Sequence, residues 1–146
     1  MSFEIVNPSG LGEPRGFNHG LLWPAGGRPL FVAGQTALAP SGRIEADGFV
    51  AQFGVALDRV LAVVRAAGGE AAHIGRMTVY VTDLGEYHAS RRELGVCWAE
   101  RMGRHYPAMA LVEVSRLVDE GARVEIEATA VLPLEHDDRE PRAADI

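Results

Sequence analysis

Two carboxylates on one predicted strand are the side chains best placed to do chemistry. Glu125 and Glu127 flank Ile126 in the segment VEIEA, whose alternation is typical of a β-strand. Because strand side chains alternate between two faces, both carboxylates point to the same side. They form either a solvated strand face, which the residues alone favour, or a site where partial burial raises the pKa of one carboxylate. In the second case that group can exchange a proton with a substrate or a water.

The other residue types that carry chemistry are scattered. The five histidines show no metal-ligand spacing such as H-x-x-x-H and no Cys/His pairing, so we expect no metal site. They are His19, His73, His88, His105 and His136. The single cysteine, Cys97, lies beside Trp98 with no base near it in sequence, which favours a buried, inert thiol over a nucleophile. No glycine-rich loop leads from a strand into a helix, so no dinucleotide site is predicted.

The first half of the chain predicts a hairpin followed by a long helix. Short apolar runs at 21–23 and 30–33 flank the turn-forming sequence PAGG, which predicts a β-hairpin. Apolar residues then recur at helical spacing, with Asp47 as the N-cap and Gly68-Gly69 ending the helix. The apolar stripe is Phe49, Phe53, Ala56, Leu57, Val60, Leu61 and Val64.

The second half predicts a strand, a second helix and two further strands. Residues 76–82 alternate, with Met77, Val79 and Val81 on one face. Asp83 opens the second helix, and Glu86 lies three residues later, where a reciprocal capping box requires it. The apolar stripe of this helix is Leu94, Cys97, Trp98 and Met102. Strands at 109–114 and 123–132 complete the pattern.

The order β-β-α-β-α-β-β predicts one α+β domain over residues 1–134, with a mixed sheet and two helices on one face. The other face must be solvated or covered by another chain. Six apolar strand residues exceed what two helices readily cover, which favours a homo-oligomer. They are Val112, Val114, Val124, Ile126, Ala128 and Ala130. Residues 135–146 are charged and lack an apolar period, which predicts a mobile tail.

Composition argues against several classes of function. The length of 146 residues fits one domain, and 47% hydrophobic residues are too many for a disordered chain. A net charge of −6 without a basic stripe disfavours nucleic-acid binding. No apolar stretch is long enough to span a bilayer, and MSFEIVNPSG lacks the features of a secretory signal. With a single cysteine, these features predict a cytoplasmic protein that binds neither membranes nor nucleic acid.

Three segments resemble one known family. They are GQTALAPSGRI, MTVYVTDLGEY and YPAMALVEVSRLVDEGARVEIEATAVL. The chain is identified on them as a member of the RidA/YjgF family, from about Gly16 to Pro133. The last segment is the specific one, since P-A-x-x-x-V-E-V-x-x-L followed by V-E-I-E-A-x-A is hard to obtain by chance. The resemblance implies a chorismate-mutase-like fold, a homotrimer with a small-molecule cleft between neighbouring subunits, and no metal or organic cofactor.

The best-known members of this family hydrolyse reactive 2-imino or 2-enamino acids to 2-keto acids and ammonia. In them an arginine on the strand after P-A binds the substrate carboxylate with its planar fork of donors. The resemblance places Met109 at that position and Leu111 two residues further on. It matches Glu125 with the glutamate that places the attacking water, and Phe17 with an aromatic residue that lines the cleft. Gly34 matches the glycine of the family's Gly-Gln pair.

The cleft wall implied by this match is apolar. Met109 and Leu111 cannot pair with a carboxylate, and leaving a buried charge unpaired costs on the order of 2–5 kcal/mol. Arg91 matches a polar residue that faces the cleft. Either Arg91 or Arg92 supplies the positive charge that position 109 lacks, or both arginines belong to a solvated helix face. Two hypotheses follow. One is an arginine-less hydrolase or lyase of an apolar enamine, imine or related molecule; the other is a non-catalytic trimer that binds an apolar metabolite or a partner protein in the same clefts.

Overall fold

The helices and strands follow almost the predicted order. The computed structural model describes residues 2–134, so the predicted mobile tail, 135–146, lies outside the described residues. The strands are β1 (Glu4–Val6), β2 (Gly20–Leu22), β3 (Arg28–Gln35), β4 (Ile74–Val81), β5 (Ala108–Glu113) and β6 (Val124–Leu132). The helices are α1 (Phe49–Ala66), α2 (Leu84–Ala89) and α3 (Arg91–Met102).

Four strands form a mixed sheet in the order β3-β6-β4-β5. Strand β6 runs antiparallel to β3 and β4, while β4 pairs in parallel with β5. A parallel pair needs a long crossover connection, and α2 and α3 lie in it. The apolar stripes of α1 and α3 form the core with the inward side chains of β4 and β6. The predicted α+β class, with a mixed sheet and its helices packed on one face, is confirmed.

Helix α1 has the predicted apolar period and the predicted end. The stripe residues are all buried, at 5 % exposure or less: Phe49, Phe53, Ala56, Leu57, Val60, Leu61 and Val64. Gly68 has a φ of +89°, a left-handed conformation that glycine adopts without strain. The Gly69 N–H donates to the Val64 carbonyl over 2.9 Å, and the Gly68 N–H donates to Arg65, so the helix ends in a Schellman motif.

The predicted helix starts are partly wrong. Gly48, not Asp47, precedes the first turn of α1, and no side chain caps that turn because Asp47 lies one residue too early. At α2 the Asp83 carboxylate does accept N–H bonds from the first turn, as predicted. The reciprocal half of that capping box is absent, because the Glu86 carboxylate pairs instead with Arg123. The predicted single helix is also divided at Ser90, whose φ of −106° and ψ of 10° interrupt it.

The predicted hairpin of residues 21–23 and 30–33 is wrong. A turn does occur between them, with Gly27 donating to the Pro24 carbonyl over 3.3 Å. This turn carries the chain from one sheet to another: β2 pairs with β1 in a separate two-stranded sheet, and β3 pairs with β6. Alternation marks a segment as a strand, but it does not name the strand's partner.

The sheet face turned away from the helices is polar on the two central strands. It carries Thr78 and Tyr80 of β4 and Glu127 and Thr129 of β6, while Phe31 of the edge strand β3 is 80 % exposed on it. The argument for an oligomer from surplus apolar strand surface is wrong for β6. Its four apolar residues in that set lie beneath the helices of the same chain, at 6 % exposure or less. The oligomer itself stays a prediction.

Candidate functional site

Glu125 lies on β6, on the face turned away from the helices, level with Tyr80 of the neighbouring strand β4. Its two chain neighbours are fully buried on the helix side, as strand alternation requires. Gly34 of β3 lies against it. A Cβ on Gly34 would be 2.4 Å from the Glu125 Oε1 atom, so the glycine leaves the space that the carboxylate fills.

The surroundings of Glu125 disfavour its charged form. Burial raises the pKa of Glu125 above its ordinary value, and the carboxylates of Asp119 and Glu127 raise it further. Asp119 is fixed by the hydroxyl of the buried Thr36, which donates to Asp119 Oδ2 over 2.5 Å. A carboxylate held in this way can take up a proton closer to neutral pH than a solvated glutamate can.

Glu127 shares the face of Glu125 but not its surroundings. It is exposed, and its Oε1 atom accepts a hydrogen bond of 2.7 Å from the Tyr80 hydroxyl. This bond raises the pKa of Tyr80. The two carboxylates that the sequence placed together are therefore distinct: one is half-buried among other acids, and the other is solvated and paired with a phenol.

An apolar wall lies on the helix side of the sheet. Met109 and Leu111 of β5 stand level with Met77 and Val79 of the parallel strand β4, against the core. They line a cavity of about 220 Å³ between β5 and α3, which we call the inner cavity. Its other walls include Phe53, Leu94, Trp98 and Tyr106. A second cavity of about 290 Å³, the outer cavity, adjoins it and shares Met109 and Leu111.

Phe17 lines the outer cavity because backbone and side-chain hydrogen bonds hold its neighbour to the start of β5. The Asn18 N–H donates to the Pro107 carbonyl over 3.1 Å, and its amide nitrogen donates to the Tyr106 carbonyl over 2.7 Å. Phe17 also contacts the His19 ring edge-on at 5.2 Å between centroids. The N-terminal segment thus closes over the wall formed by Met109.

Arg91 lines the inner cavity from the first turn of α3. Its guanidinium carbon lies 5.8 Å from the centre of the Tyr87 ring, within the range of a cation–π contact. Arg92 lines neither cavity. Of the two arginines that the sequence offered as a relocated charge, the geometry therefore favours Arg91.

One chain does not bring all the predicted site residues together. Phe17, Arg91, Met109 and Leu111 lie on the helix side of the sheet, whereas Glu125 and Gly34 lie on the opposite face. The match to the family predicts that Met109 and Leu111 border Glu125 in the cleft and contribute to the burial that raises its pKa. Within one chain the pKa of Glu125 is raised on the other face of the sheet, by burial beside Gly34 and by the carboxylates of Asp119 and Glu127. The contribution of Met109 and Leu111 therefore stays a prediction for the cleft between subunits.

Several residues of the site carried no usable signal in the sequence. Arg15, which lines the outer cavity, lies in a Gly/Pro-rich stretch without a period. Trp98 fits a plain core stripe, and Tyr106 lies in the segment between α3 and β5. Their stacked rings, 6.0 Å apart and inclined by 4°, become visible only in the packing. Asp119 and Thr36, which bond across 83 positions, depend on the same long-range geometry.

The remaining candidate groups have structural surroundings. Cys97 is buried, and burial raises the pKa of its thiol, which suits the predicted inert role. Within residues 2–134, no three side chains of His, Cys, Asp or Glu are grouped so that they could hold a metal ion. Over the same range, none of the helices has the length and apolar character needed to cross a membrane.

A methyl group on Gly34 provides a test of the Glu125 pocket. In Gly34→Ala the new Cβ displaces the carboxylate, the free end of a flexible side chain, so we expect little loss of stability. The displaced carboxylate reaches solvent, and the pKa of Glu125 should fall towards its ordinary value. Carbon-detected NMR titration measures this directly. Gly10→Ala, where a Cβ meets nothing within 4 Å, is the control and should leave that pKa unchanged.

Comparison with known proteins agrees with this architecture. The family model described as Endoribonuclease L-PSP matches residues 17–132. The RutC family protein PM1466 of Pasteurella multocida is 38% identical over 106 residues, covering 72% of this chain and 81% of that protein. The 2-iminobutanoate/2-iminopropanoate deaminase of Escherichia coli (strain K12) is 35% identical over 106 residues, covering 72% and 80%. The crystal structure of YyfB from Yersinia pestis, described as a Rid family protein of unknown function, has a TM-score of 0.76 at 28% identity, covering 90% and 100%.

These matches span most of the chain and include the segments that carry the site. The molecule is a small mixed α+β domain of the class to which the imine deaminases belong. The chain belongs to the RidA/YjgF family, and the predicted membership is confirmed.

Proposed function

We propose that this protein is a cofactor-independent hydrolase or lyase of an imine, enamine or related bond in an apolar small molecule. The observation that carries the proposal is Glu125, a half-buried carboxylate that fills the space left by Gly34 and whose pKa is raised by burial and by nearby acids. Hydrolysis of a C=N bond needs a group that orients water and moves a proton, and such a carboxylate can do both. The deaminase name of the Escherichia coli relative supports the same reaction class.

The wall residues favour a substrate other than the short 2-imino acids named for that relative. Met109 and Leu111 offer no hydrogen-bond donor on the strand where the family resemblance implies an arginine. A substrate carboxylate placed against them would be desolvated without a partner. We therefore propose an apolar body at this wall, with Phe17 closing over it.

The two halves of the site meet only if a second chain supplies one of them. Glu125 of one chain and the Met109 wall of another can border the same cleft when the exposed sheet face packs against a neighbouring copy. This supports the homotrimer implied by the family resemblance, with three equivalent clefts. Phe31, 80 % exposed on that face, suits such a contact, because packing against a neighbouring copy would bury its large apolar ring.

We expect light scattering to give three times the mass of one chain. Phe31→Asp should dissociate the assembly, because it places a charge at the centre of the proposed contact. Val96→Asp also replaces an exposed apolar residue by aspartate, on α3, and should leave the mass unchanged. A monodisperse single chain at micromolar concentration would remove the cleft and with it the proposed site.

A substrate screen tests the reaction. Imines generated in place by amino-acid oxidases, with apolar, branched and aromatic side chains, should be compared with apolar enamines, and ammonia and carbonyl product should be followed. We expect faster hydrolysis of the apolar substrates than of 2-iminopropanoate. Absence of turnover throughout the panel would contradict the proposed reaction.

The second candidate is a non-catalytic trimer that binds an apolar metabolite or a partner protein in the same clefts. Met109 favours this candidate. The arginine that binds the substrate carboxylate in the deaminases of the family is absent, which weakens their reaction, while an apolar cavity remains. Binding without turnover, unaffected by Glu125→Gln, would decide for this candidate.

A further inference from the structure

The inner and outer cavities adjoin each other and differ in their linings. They share Gly16, Tyr87, Met109 and Leu111, which places both within reach of a single ligand. The inner cavity lies between α3 and β5 and borders the core. The outer cavity opens between the N-terminal segment and β5.

The inner cavity suits a hydrocarbon group. Its volume of about 220 Å³ exceeds the roughly 150 Å³ of an apolar cavity that admits benzene. Phe53, Leu94 and Trp98 supply apolar walls. The Trp98 indole N–H already donates to the His105 carbonyl over 3.1 Å, so this side chain presents an apolar ring to a ligand. A charged group placed among these three walls, away from Arg91, would lose its water without gaining a partner.

Each of the two cavities has an arginine in its lining. Arg15 lines the outer cavity, and Arg91 lines the inner cavity. Tyr87, which lies beside Arg91, lines both cavities. No acidic residue is among the described residues that line either cavity, in a chain with 20 acidic residues and 14 basic ones. Between positions 2 and 134, neither arginine forms an ion pair with a carboxylate. Each cavity thus has an arginine that is available to an anion.

We propose that this site binds a small organic acid whose carboxylate is separated from a bulky apolar group. An aromatic ring or a branched chain of about six carbons occupies the inner cavity, and Arg15 and Arg91 bind the carboxylate. This inference deepens the proposed function, on which it rests for the identity of the site. It explains how a chain with Met109 can still bind an acid: the carboxylate binds to Arg15 and Arg91 and not to a residue of β5.

The test uses three probes of matched structure, titrated calorimetrically into the full chain. 3-Phenylpropanoate carries both parts, 3-phenylpropanol lacks the charge, and propanoate lacks the ring. We expect the first to bind about tenfold more tightly than either of the others, because charge-assisted hydrogen bonds add to apolar burial. Arg15→Gln combined with Arg91→Gln should remove the preference for the acid over the alcohol. Arg92→Gln, the neighbouring arginine outside both cavities, should preserve it.

A second variant tests the inner cavity without removing a core residue. Gly95 lines it from α3, and a Cβ there meets nothing within 4 Å, so Gly95→Leu fills space while improving helix propensity. It should weaken both phenyl probes about tenfold or more, since the cavity no longer admits the ring. Ala62→Leu, at an exposed position of α1, is the control and should change neither.

The outcomes separate this inference from the proposed reaction. Equal affinity of wild type for acid and alcohol, or unchanged binding in Gly95→Leu, would overturn the inference even if hydrolysis is observed. Binding as expected, retained in Glu125→Gln and accompanied by no turnover in the substrate panel, would support the inference while contradicting the hydrolase.

Discussion

Replacing Glu125 by glutamine should lower kcat/KM for any substrate found by about 10²–10⁴-fold, the usual contribution of general acid–base catalysis. Glutamine keeps the shape of the side chain that fills the space beside Gly34, but it cannot exchange a proton. The measurement is steady-state turnover at several pH values. The acidic limb of the wild-type profile should follow the raised pKa of Glu125.

The same substitution should not weaken the fold at neutral pH. A raised pKa in the folded state means that folding favours the protonated carboxyl, so ionisation of Glu125 lowers the free energy of unfolding. This loss begins as the pH rises past the ordinary pKa of glutamate and is complete above the raised one. Glu125→Gln should therefore match or exceed wild type in urea unfolding at neutral pH, and the difference should vanish below the ordinary pKa.

Glu127→Gln is the matched control on the same strand face. It removes the carboxylate that accepts the Tyr80 hydroxyl, in an exposed position, and should change turnover by less than a factor of about ten. Equal, mild effects of the two substitutions would mean that the pair is a solvated strand face and that Glu125 has no catalytic role.

Met109→Arg should create or increase activity on short 2-imino acids, raising kcat/KM for 2-iminobutanoate by about tenfold or more. The new guanidinium would lie on β5 beside Leu111, where the carboxylate of a short substrate otherwise finds no donor. The substrate is generated in place by an amino-acid oxidase, and the keto acid is followed against time.

Two controls separate charge from shape at this position. Met109→Gln has a similar length without a charge and should give no gain. Met109→Lys adds a charge without the planar fork of donors and should give a smaller gain than arginine. If wild type already hydrolyses 2-iminobutanoate as fast as arginine-bearing relatives, another residue, with Arg91 the first candidate, already binds the carboxylate.

The sequence predicts the central elements well because each buries a face within one chain. Helix α1 shows a 3.6-residue period, and β4 and β6 alternate, since one side of each packs against the core. The partner of each strand and the point at which a helix is interrupted are less predictable. The partner of β2 depends on the distant strand β1, and the break at Ser90 leaves the helical hydrogen-bond pattern largely in place.

Only one side of the candidate site, that of Glu125, could be predicted from the sequence. Glu125 alternates with buried Val124 and Ile126, so its direction away from the helices can be derived. Strand β5 gives no such guide, because Ala110 and Val112 on its other face are as apolar as Met109 and Leu111. Which face of β5 meets α3 is decided by its parallel register with β4, a long-range contact that local pattern does not encode.

The separation of Glu125 and Met109 by the thickness of a sheet has a consequence for how such a protein can evolve. Substitutions at positions without shared contacts usually have additive effects on stability. Within one chain, the residues of the Met109 wall can therefore be exchanged without disturbing the surroundings that Gly34 and Asp119 give the carboxylate. Under the proposed function, the chemical step and the choice of molecule would then be separately heritable traits.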